Sequence, residues 1–172
     1  MMTEAEACIA DLDAALAQYG DTIRLQRLTS GALVKRAHPD AELWLDGAHN
    51  PAAGLVIAEA MADLEERAPR PLYLVSGMLT TKDPLGFFRP FAGLVRKVFT
   101  VPVPSSNAGR DPGELAELAR TAGLLADPVA DVAAALDQIA ADRQILGAPR
   151  ILIVGSLYLA GTVLATNGTP PA

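Results

Sequence analysis

The fold is predicted most directly by one stretch of the sequence, Trp44-Leu45-Asp46-Gly47-Ala48-His49-Asn50-Pro51. An apolar run ends on the carboxylate of Asp46, a glycine turn follows, and His49 comes directly after the turn. Asn50 is a favoured N-cap residue, and Pro51 suits the first position of a helix. The stretch therefore predicts a strand, a tight turn and a helix, with Asp46 at the carboxyl end of the strand and His49 beside the N-terminus of the helix.

The segments on either side extend this pattern along the chain. Alternating or continuous apolar runs predict strands at residues 23–28, 33–34, 43–46, 72–75, 97–101 and 150–154. Helical spacing of apolar residues predicts helices at residues 3–18, 51–67, 84–94, 111–122, 131–142 and 156–165, with a frayed tail from Asn167 onward. Strands that alternate with helices imply a Rossmann-like α/β fold, a mostly parallel sheet with helices on both faces. We therefore expect one domain over residues 21–172, preceded by an N-terminal helical appendage over residues 1–20.

Length and composition narrow the class of protein. The chain has 172 residues, 51% of them apolar, which suits one domain with a sizeable core. A formal net charge of −6, without a basic block, argues against a nucleic-acid partner. Cys8 is the single cysteine, so no disulfide can form within the chain, which fits a reducing compartment. The sequence shows no metal-binding spacing, no signal peptide and no run of about 20 apolar residues, so we expect a soluble cytoplasmic protein without membrane contact.

Asp46 and His49 are the first candidates for a site, because ligands bind at the carboxyl edge of an open α/β sheet. The free N–H groups and partial positive charge of a helix N-terminus at that edge suit a phosphate. One interpretation is contact with a nucleotide, in which the carboxylate accepts from ribose hydroxyls and the imidazole donates to phosphate. The alternative is that both side chains satisfy the turn itself. The two residues alone favour neither interpretation.

Two further segments are expected to end at the same edge. Lys82 follows the strand at residues 72–75, where it could pair with a substrate carboxylate or remain a solvated loop lysine. Gly155 and Ser156 follow the last strand, and they could admit a ligand to the backbone and begin a helix with open N–H groups. A tight strand-to-helix turn would need the same glycine. The other cations of interest are interpreted as surface residues: Arg89, Arg96, Lys97 and Arg110.

The sequence lacks the usual phosphate-binding and nucleophilic motifs. It contains no Gly-x-x-x-x-Gly-Lys-Ser/Thr loop and no Gly-x-Gly-x-x-Gly fingerprint. The two histidines, His38 and His49, offer no Ser-His-Asp set in a suitable context. By itself the chain therefore looks like half of a nucleotide site, with no catalytic residue and no metal ligand assigned.

Three motifs resemble the C-terminal domain of folylpolyglutamate synthases and dihydrofolate synthases, which are members of the Mur ligase superfamily. Residues 46–51, Asp-Gly-Ala-His-Asn-Pro, are similar to the Asp-x-Ala/Gly-His-Asn-Pro motif that opens that domain. Residues 77–83, Gly-Met-Leu-Thr-Thr-Lys-Asp, are similar to its Gly-Met-x-x-x-Lys-Asp segment. Residues 155–161, Gly-Ser-Leu-Tyr-Leu-Ala-Gly, resemble its closing Gly-Ser-Leu-Tyr-Leu-Ala/Val-Gly. The resemblance covers roughly residues 22–168 in the right order and spacing, and Arg24-Leu25-Gln26 resembles the end of a Pro-Gly/Ala-Arg-Leu/Phe-Gln segment.

The resemblance implies a ligase chemistry. Members of the family use ATP and Mg²⁺ to phosphorylate a carboxylate of a folate or pteroate, and the amine of glutamate then attacks the acyl phosphate. On this resemblance Asp46 and His49 contact the nucleotide, and Arg24 reaches its phosphates from the linker side. Lys82 and Ser156 are expected near the incoming glutamate.

The sequence departs from the family pattern at two places. Residues 21–23, Asp-Thr-Ile, stand where the family has Trp/Leu-Pro-Gly/Ala before the arginine. The larger N-terminal domain of the family, which carries the P-loop and the Mg²⁺ ligands, is not represented in residues 1–20. Phosphoryl transfer needs that metal and phosphate cradle, so this chain alone is expected not to turn over.

An alternative function of a different class is a non-catalytic module that binds a partner or itself. The face that would dock the missing domain is expected to be apolar, and large apolar patches rarely remain exposed. Such a face would favour a homo-oligomer. A P-loop encoded in frame upstream would favour the ligase, and so would ATP binding that falls in an Asp46→Ala variant.

Overall fold

The computed structural model describes residues 25–104 and 106–169. The strands are β1 (Gln26–Leu28), β2 (Glu42–Leu45), β3 (Leu72–Ser76), β4 (Lys97–Thr100), β5 (Ala126–Pro128) and β6 (Arg150–Val154). The helices are α1 (Ala32–Arg36), α2 (Pro51–Arg67), α3 (Pro84–Phe88), α4 (Pro112–Thr121), α5 (Val132–Ala141) and α6 (Leu157–Asn167). The predicted appendage at residues 1–20 lies outside the described residues, and so does Arg24. No helix within the described ranges is long and apolar enough to cross a membrane.

The strands form one six-stranded sheet in the order β1-β2-β6-β3-β4-β5. β1 is antiparallel to β2, and every other neighbouring pair of strands is parallel. β6, the last strand in the chain, lies in the middle and pairs with both β2 and β3. The predicted mostly parallel α/β sheet is confirmed.

Helices cover both faces of the sheet, because its central strands are apolar on both sides. One core joins α1, α5 and α6 to strand residues that include Tyr73, Val75 and Ile153. The other core joins α2, α3 and α4 to alternate strand residues, which include Leu74 and Val154. The continuous apolar run in β3 is therefore buried on both faces, as the sequence predicted.

The strand order leaves a crevice at the carboxyl edge around β6. Helix α2 leaves β2 toward one face of the sheet, whereas α6 leaves β6 toward the other face. Neighbouring strands whose helices pack on opposite faces have a crevice outside their carboxyl ends, where ligands bind in open α/β sheets. The segments that follow β2, β3 and β6 all begin at this edge.

The predicted strand at residues 33–34 is wrong, because this segment is helix α1. Gly31 precedes the helix and has no side chain that could cap it. Asn167, at the end of α6, takes over this role: its Oδ1 accepts hydrogen bonds from the amides of Leu33 at 2.8 Å and Val34 at 3.4 Å. The predicted frayed tail therefore begins too early, since Asn167 is buried and caps a distant helix.

Two other elements differ from the sequence prediction. The helix predicted over residues 84–94 ends at Phe88, and a 3₁₀ turn that contains Pro90 follows. Proline has no amide hydrogen to continue an α-helix. Strand β5 was not predicted, because Asp127 and Pro128 are both rare in strands. It lies at the edge of the sheet, where proline is tolerated.

The last strand is not fully apolar, contrary to the prediction for residues 150–154. Arg150 begins β6 and is 1% exposed, and its Nε donates to Oε2 of Glu42 at 2.7 Å. Glu42 begins the neighbouring strand β2 and is directly paired with Arg150 in the register of the two strands. The ion pair therefore joins β2 to β6 at the amino edge, opposite the crevice.

Candidate functional site

Asp46 follows the carboxyl end of β2 and is buried. Its Oδ1 accepts a hydrogen bond from the amide of Ala48 at 2.7 Å, and its Oδ2 accepts one from the amide of Leu25 at 2.7 Å. Leu25 has a φ of +40°, in the left-handed region that is unfavourable for a leucine. The carboxylate thus joins the turn after β2 to the strained entry into β1. These contacts match the interpretation in which Asp46 satisfies the turn, and its contact with a ribose stays a prediction.

His49 lies between this turn and helix α2 and is half-buried. Its Nδ1 is 2.9 Å from the carbonyl oxygen of Gly47. Because a carbonyl only accepts, we assign a proton to Nδ1, which leaves Nε2 of the neutral ring as an acceptor. A second proton is therefore needed before Nε2 can donate to a phosphate. The helix begins as predicted, with Oδ1 of Asn50 accepting from the amide of Ala53 at 2.8 Å.

Lys82 lies in the loop between β3 and α3 and is half-buried. Its amide donates to the carbonyl oxygen of Leu79 at 3.2 Å, which closes a turn. Asp83 follows and caps α3 by accepting from the amide of Gly86 at 3.1 Å. The backbone of Lys82 is therefore held between a turn and a helix cap.

Gly155 and Ser156 form the turn from β6 into α6. Gly155 has a φ of +121°, and a Cβ atom there would lie 2.6 Å from Oγ of Ser76 and 2.7 Å from the carbonyl oxygen of Gly77. Only glycine fits this close approach of the ends of β6 and β3. Ser156 is buried and caps α6, since its Oγ accepts from the amide of Tyr158 at 3.1 Å. A contact between this hydroxyl and a ligand stays a prediction.

A cavity of about 100 Å³ brings three of the five predicted site residues together. The cavity is lined by His49, Lys82 and Ser156, together with Leu79, Gly155, Leu157 and Tyr158. Its walls come from the segments that follow β2, β3 and β6, so these three segments converge at the carboxyl edge. Asp46 does not line the cavity, and Arg24 lies outside the described residues.

The size of the cavity limits what it can hold. Pockets that enclose a whole small ligand have volumes of about 300–1,000 Å³. This cavity, at about 100 Å³, has room for one ligand group such as a carboxylate or a phosphate. A whole nucleotide bound at this edge would extend beyond the cavity and would need a second surface to cover it.

Ligands for a divalent metal are not assembled in the part of the chain that the structure describes. No three His, Cys, Asp or Glu side chains come together there in a way that could hold a metal ion. Both carboxylate oxygens of Asp46 already accept hydrogen bonds from amides. The described residues therefore show no assembled metal site of their own.

The prediction that Arg110 is a surface residue is wrong. Its side chain is 12% exposed and lies against the backbone of the loop that carries Lys82. Its Nη1 donates to Oε1 of Glu114 at 2.7 Å, four residues further along the chain. That spacing at the start of a predicted helix is the sequence signal that could have found this contact. Arg89 and Arg96 are exposed, as predicted.

No protein-family model matches the sequence, and no curated protein is significantly similar to it. The folylpolyglutamate synthase of Mycobacterium tuberculosis, solved in complex with ADP, matches 87% of this chain with a TM-score of 0.70 and 23% identity. The chain has the fold of a folylpolyglutamate synthase C-terminal domain.

Other solved synthases share this C-terminal-domain fold. The folylpolyglutamate synthase of Thermotoga maritima matches 86% of the chain with a TM-score of 0.63 and 24% identity. The bifunctional folylpolyglutamate synthase/dihydrofolate synthase of Yersinia pestis, complexed with AMPPNP and a Mn ion, matches 83% with a TM-score of 0.63 and 24% identity. The chain spans 33% of the length of the M. tuberculosis protein and 30% of each of the other two. The similarity therefore concerns one domain of longer enzymes.

Proposed function

We propose that this chain serves as the C-terminal domain of an ATP-dependent folylpolyglutamate synthase or dihydrofolate synthase. Such a ligase joins glutamate to a folate or pteroate carboxylate through an acyl phosphate. The observation that carries the proposal is the cavity lined by His49, Lys82 and Ser156, three polar residues from separate segments at the carboxyl edge. These polar side chains stand at the carboxyl edge beside the N-termini of α2 and α6, a place that suits an anionic ligand.

In this proposal the loop after β2 contacts the nucleotide. His49 donates to a phosphate once Nε2 carries a proton, because its Nδ1 already faces the carbonyl of Gly47. Asp46, whose carboxylate holds the amides of Ala48 and Leu25, accepts from a ribose hydroxyl in this proposal. Arg24, which lies outside the described residues, is proposed on the family resemblance alone to reach the phosphates.

The other side of the cavity contacts glutamate in this proposal. The ammonium group of Lys82 pairs with one carboxylate of the amino acid through opposite charge. The hydroxyl of Ser156 lies at the N-terminus of α6, where the partial positive charge of the helix favours an anion. The volume of the cavity, about 100 Å³, suits a single carboxylate.

Phosphoryl transfer belongs to a second domain in this proposal. ATP with a divalent metal supplies the charge stabilisation for that step. The described residues provide no metal cluster, so their contribution is to orient the nucleotide and glutamate. A P-loop domain, on the same chain or on another one, would cover the open side of the crevice and complete the site.

The proposal predicts nucleotide binding that depends on the loop after β2. ADP titrated into the full chain should shift the backbone NMR signals of residues 47–50 with weak affinity. His49→Gln should raise the dissociation constant about tenfold, because a hydrogen bond to a charged group contributes about 1.5–3 kcal/mol. Asp46→Ala should raise it at least as much, because the loop loses two backbone contacts.

His38→Gln is the matched control for this titration. His38 lines a separate groove with Asp40 and Arg143 at the other edge of the sheet. The affinity of this variant for ADP should equal that of the wild-type chain. An absence of ADP binding in the wild-type chain, or equal losses in His38→Gln and His49→Gln, would contradict the proposed nucleotide site.

A second candidate function, self-association, is favoured by one observation. Leu55 and Val56, in the second turn of α2, are 51% and 63% exposed. A second copy of the chain that docks on this helix would bury both apolar side chains. Sedimentation velocity should then detect a dimer, and a double Leu55→Ser, Val56→Ser variant should shift it toward monomer. Leu125→Ser, at an exposed leucine near the amino edge, is the control, and a monomer at every concentration would exclude self-association.

A further inference from the structure

Arg110 does not line the cavity, but its side chain contacts the backbone of Lys82, which does. Its Nη2 donates to the carbonyl oxygen of Thr80 at 3.0 Å and to that of Lys82 at 3.2 Å. Its Nη1 donates to Glu114 on α4, and among the described residues its buried Nε finds no partner. One guanidinium group therefore connects helix α4 to the backbone of the loop that carries Lys82.

Backbone hydrogen bonds also join the loop that carries Lys82 to residues 108–110, just before α4. The amide of Thr80 donates to the carbonyl of Ala108 at 2.8 Å, and the amide of Arg110 donates to the carbonyl of Met78 at 2.7 Å. These two bonds flank a single antiparallel bridge between Leu79 and Gly109, and so short a pairing has little stability of its own in water. The contacts of the Arg110 side chain add to these backbone bonds and to the packing of Leu79, Val103 and Ala108 in the same region.

We propose that Arg110 is a positioning residue, which sets the affinity of the cavity for a carboxylate by fixing the backbone of Lys82. The inference rests on the proposed role of Lys82 in binding glutamate. Arg110 does not line the cavity, so it acts through Lys82 rather than on the ligand. Its two carbonyl contacts, to Thr80 within the turn at residues 79–82 and to Lys82 at the end of that turn, restrict the backbone position of Lys82.

An arginine suits this task better than a lysine. The planar guanidinium group presents its N–H donors in a fixed fork, so it reaches two carbonyls and a carboxylate at the same time. A lysine would keep the positive charge but could not hold the three acceptors in this geometry. Arg110→Lys therefore separates the geometry of the contact from its charge.

Hydrogen exchange in the ligand-free chain tests the positioning step. Arg110→Lys should raise the exchange rates of the Thr80 and Lys82 amides about tenfold. The loop should open more often, because the substitution removes the side-chain hydrogen bonds that hold it closed. Amides in β3 and β6 should keep their wild-type rates. Asn167→Ala is the control, since it removes the cap of α1 and weakens the fold without touching the loop. Unchanged exchange at both amides in Arg110→Lys would overturn the proposal.

A double-mutant cycle tests the link to the ligand, with L-glutamate as the NMR probe. Lys82→Ala and Arg110→Lys should each raise the dissociation constant about tenfold, and the double variant should bind no worse than Lys82→Ala. Additive losses would overturn the proposal, since Arg110 would then act independently of Lys82. A wild-type chain that binds no glutamate would contradict the proposed function instead, and the exchange rates would still decide whether Arg110 fixes the loop.

Discussion

Arg150→Ala is expected to lower the free energy of unfolding by about 3–5 kcal/mol, because it empties a fully buried position and takes the nearest cation from the Glu42 carboxylate. Glu42 then keeps Arg70 and Trp44 as partners. The side chain of Arg150 is 1% exposed and that of Glu42 is 12% exposed. Nε of Arg150 donates to Glu42 at 2.7 Å, and its Nη2 donates to the carbonyl oxygen of Ala68 at 3.0 Å. The substitution therefore breaks an ion pair and a contact with the end of α2. Urea denaturation at neutral pH measures the loss.

The dependence of the free energy of unfolding on pH should also change in Arg150→Ala, at acid pH. Burial raises the pKa of Glu42, but hydrogen bonds from Arg150 and Trp44 and the charges of Arg150 and Arg70 outweigh it, so the pKa lies below its ordinary value. Such a carboxyl adds stability above its unfolded pKa and loses it as the pH falls through the folded pKa. The wild-type chain should therefore lose stability below about pH 4. Arg150→Ala removes a hydrogen bond and a charge that lower the pKa of Glu42, while the effect of burial, which raises it, remains. The contribution of Glu42 to the loss of stability in acid should therefore shrink in this variant.

Two further variants separate charge from packing. Arg150→Met combined with Glu42→Gln removes both charges and keeps most of the volume, so it should be more stable than Arg150→Ala. Arg36→Ala removes an ion pair with Asp137 in which both side chains are 51% exposed, and it should change stability little. If Arg150→Ala unfolded no more readily than Arg36→Ala, the buried pair would not join β2 to β6 as described.

The carboxyl edge of the sheet is predictable from the sequence because it depends on local patterns. His49, Lys82 and Ser156 each follow an apolar strand within a few residues. Parallel strands end at the same edge, so the direction of the strands is enough to bring the three segments together. No contact between distant residues has to be known in advance.

Three of the wrong predictions share a physical cause, which is a partner far along the chain. Arg150 is buried because Glu42, 108 positions away, lies beside it. A five-residue helix containing Leu33 is stable because Asn167, 134 positions away, caps it. Arg110 is held by carbonyls of the loop after β3, about which a local pattern says nothing. Hydrophobic periodicity reports which face of an element is buried, and it carries no information about these polar pairs.

Gly155→Ala is expected to lower the free energy of unfolding by about 3 kcal/mol or more, from two sources. The φ of +121° is a conformation that alanine rarely adopts. The new Cβ would also lie 2.6 Å from Oγ of Ser76 and 2.7 Å from the carbonyl oxygen of Gly77. The hydroxyl can rotate away, but the carbonyl belongs to the backbone after β3, so the ends of β3 and β6 must separate. Chemical denaturation of the variant measures the total.

Gly93→Ala isolates the backbone part of that loss. Gly93 has a φ of +80°, and a Cβ atom there would meet nothing within 4 Å. The difference between the two variants is therefore the cost of separating β3 from β6. Because Ser156 follows Gly155 directly, this separation should also reshape the cavity, and Gly155→Ala should lose the NMR shifts caused by ADP and glutamate while Gly93→Ala keeps them. Equal losses of stability, with binding intact in both variants, would mean that the close approach of β3 and β6 does not shape the cavity.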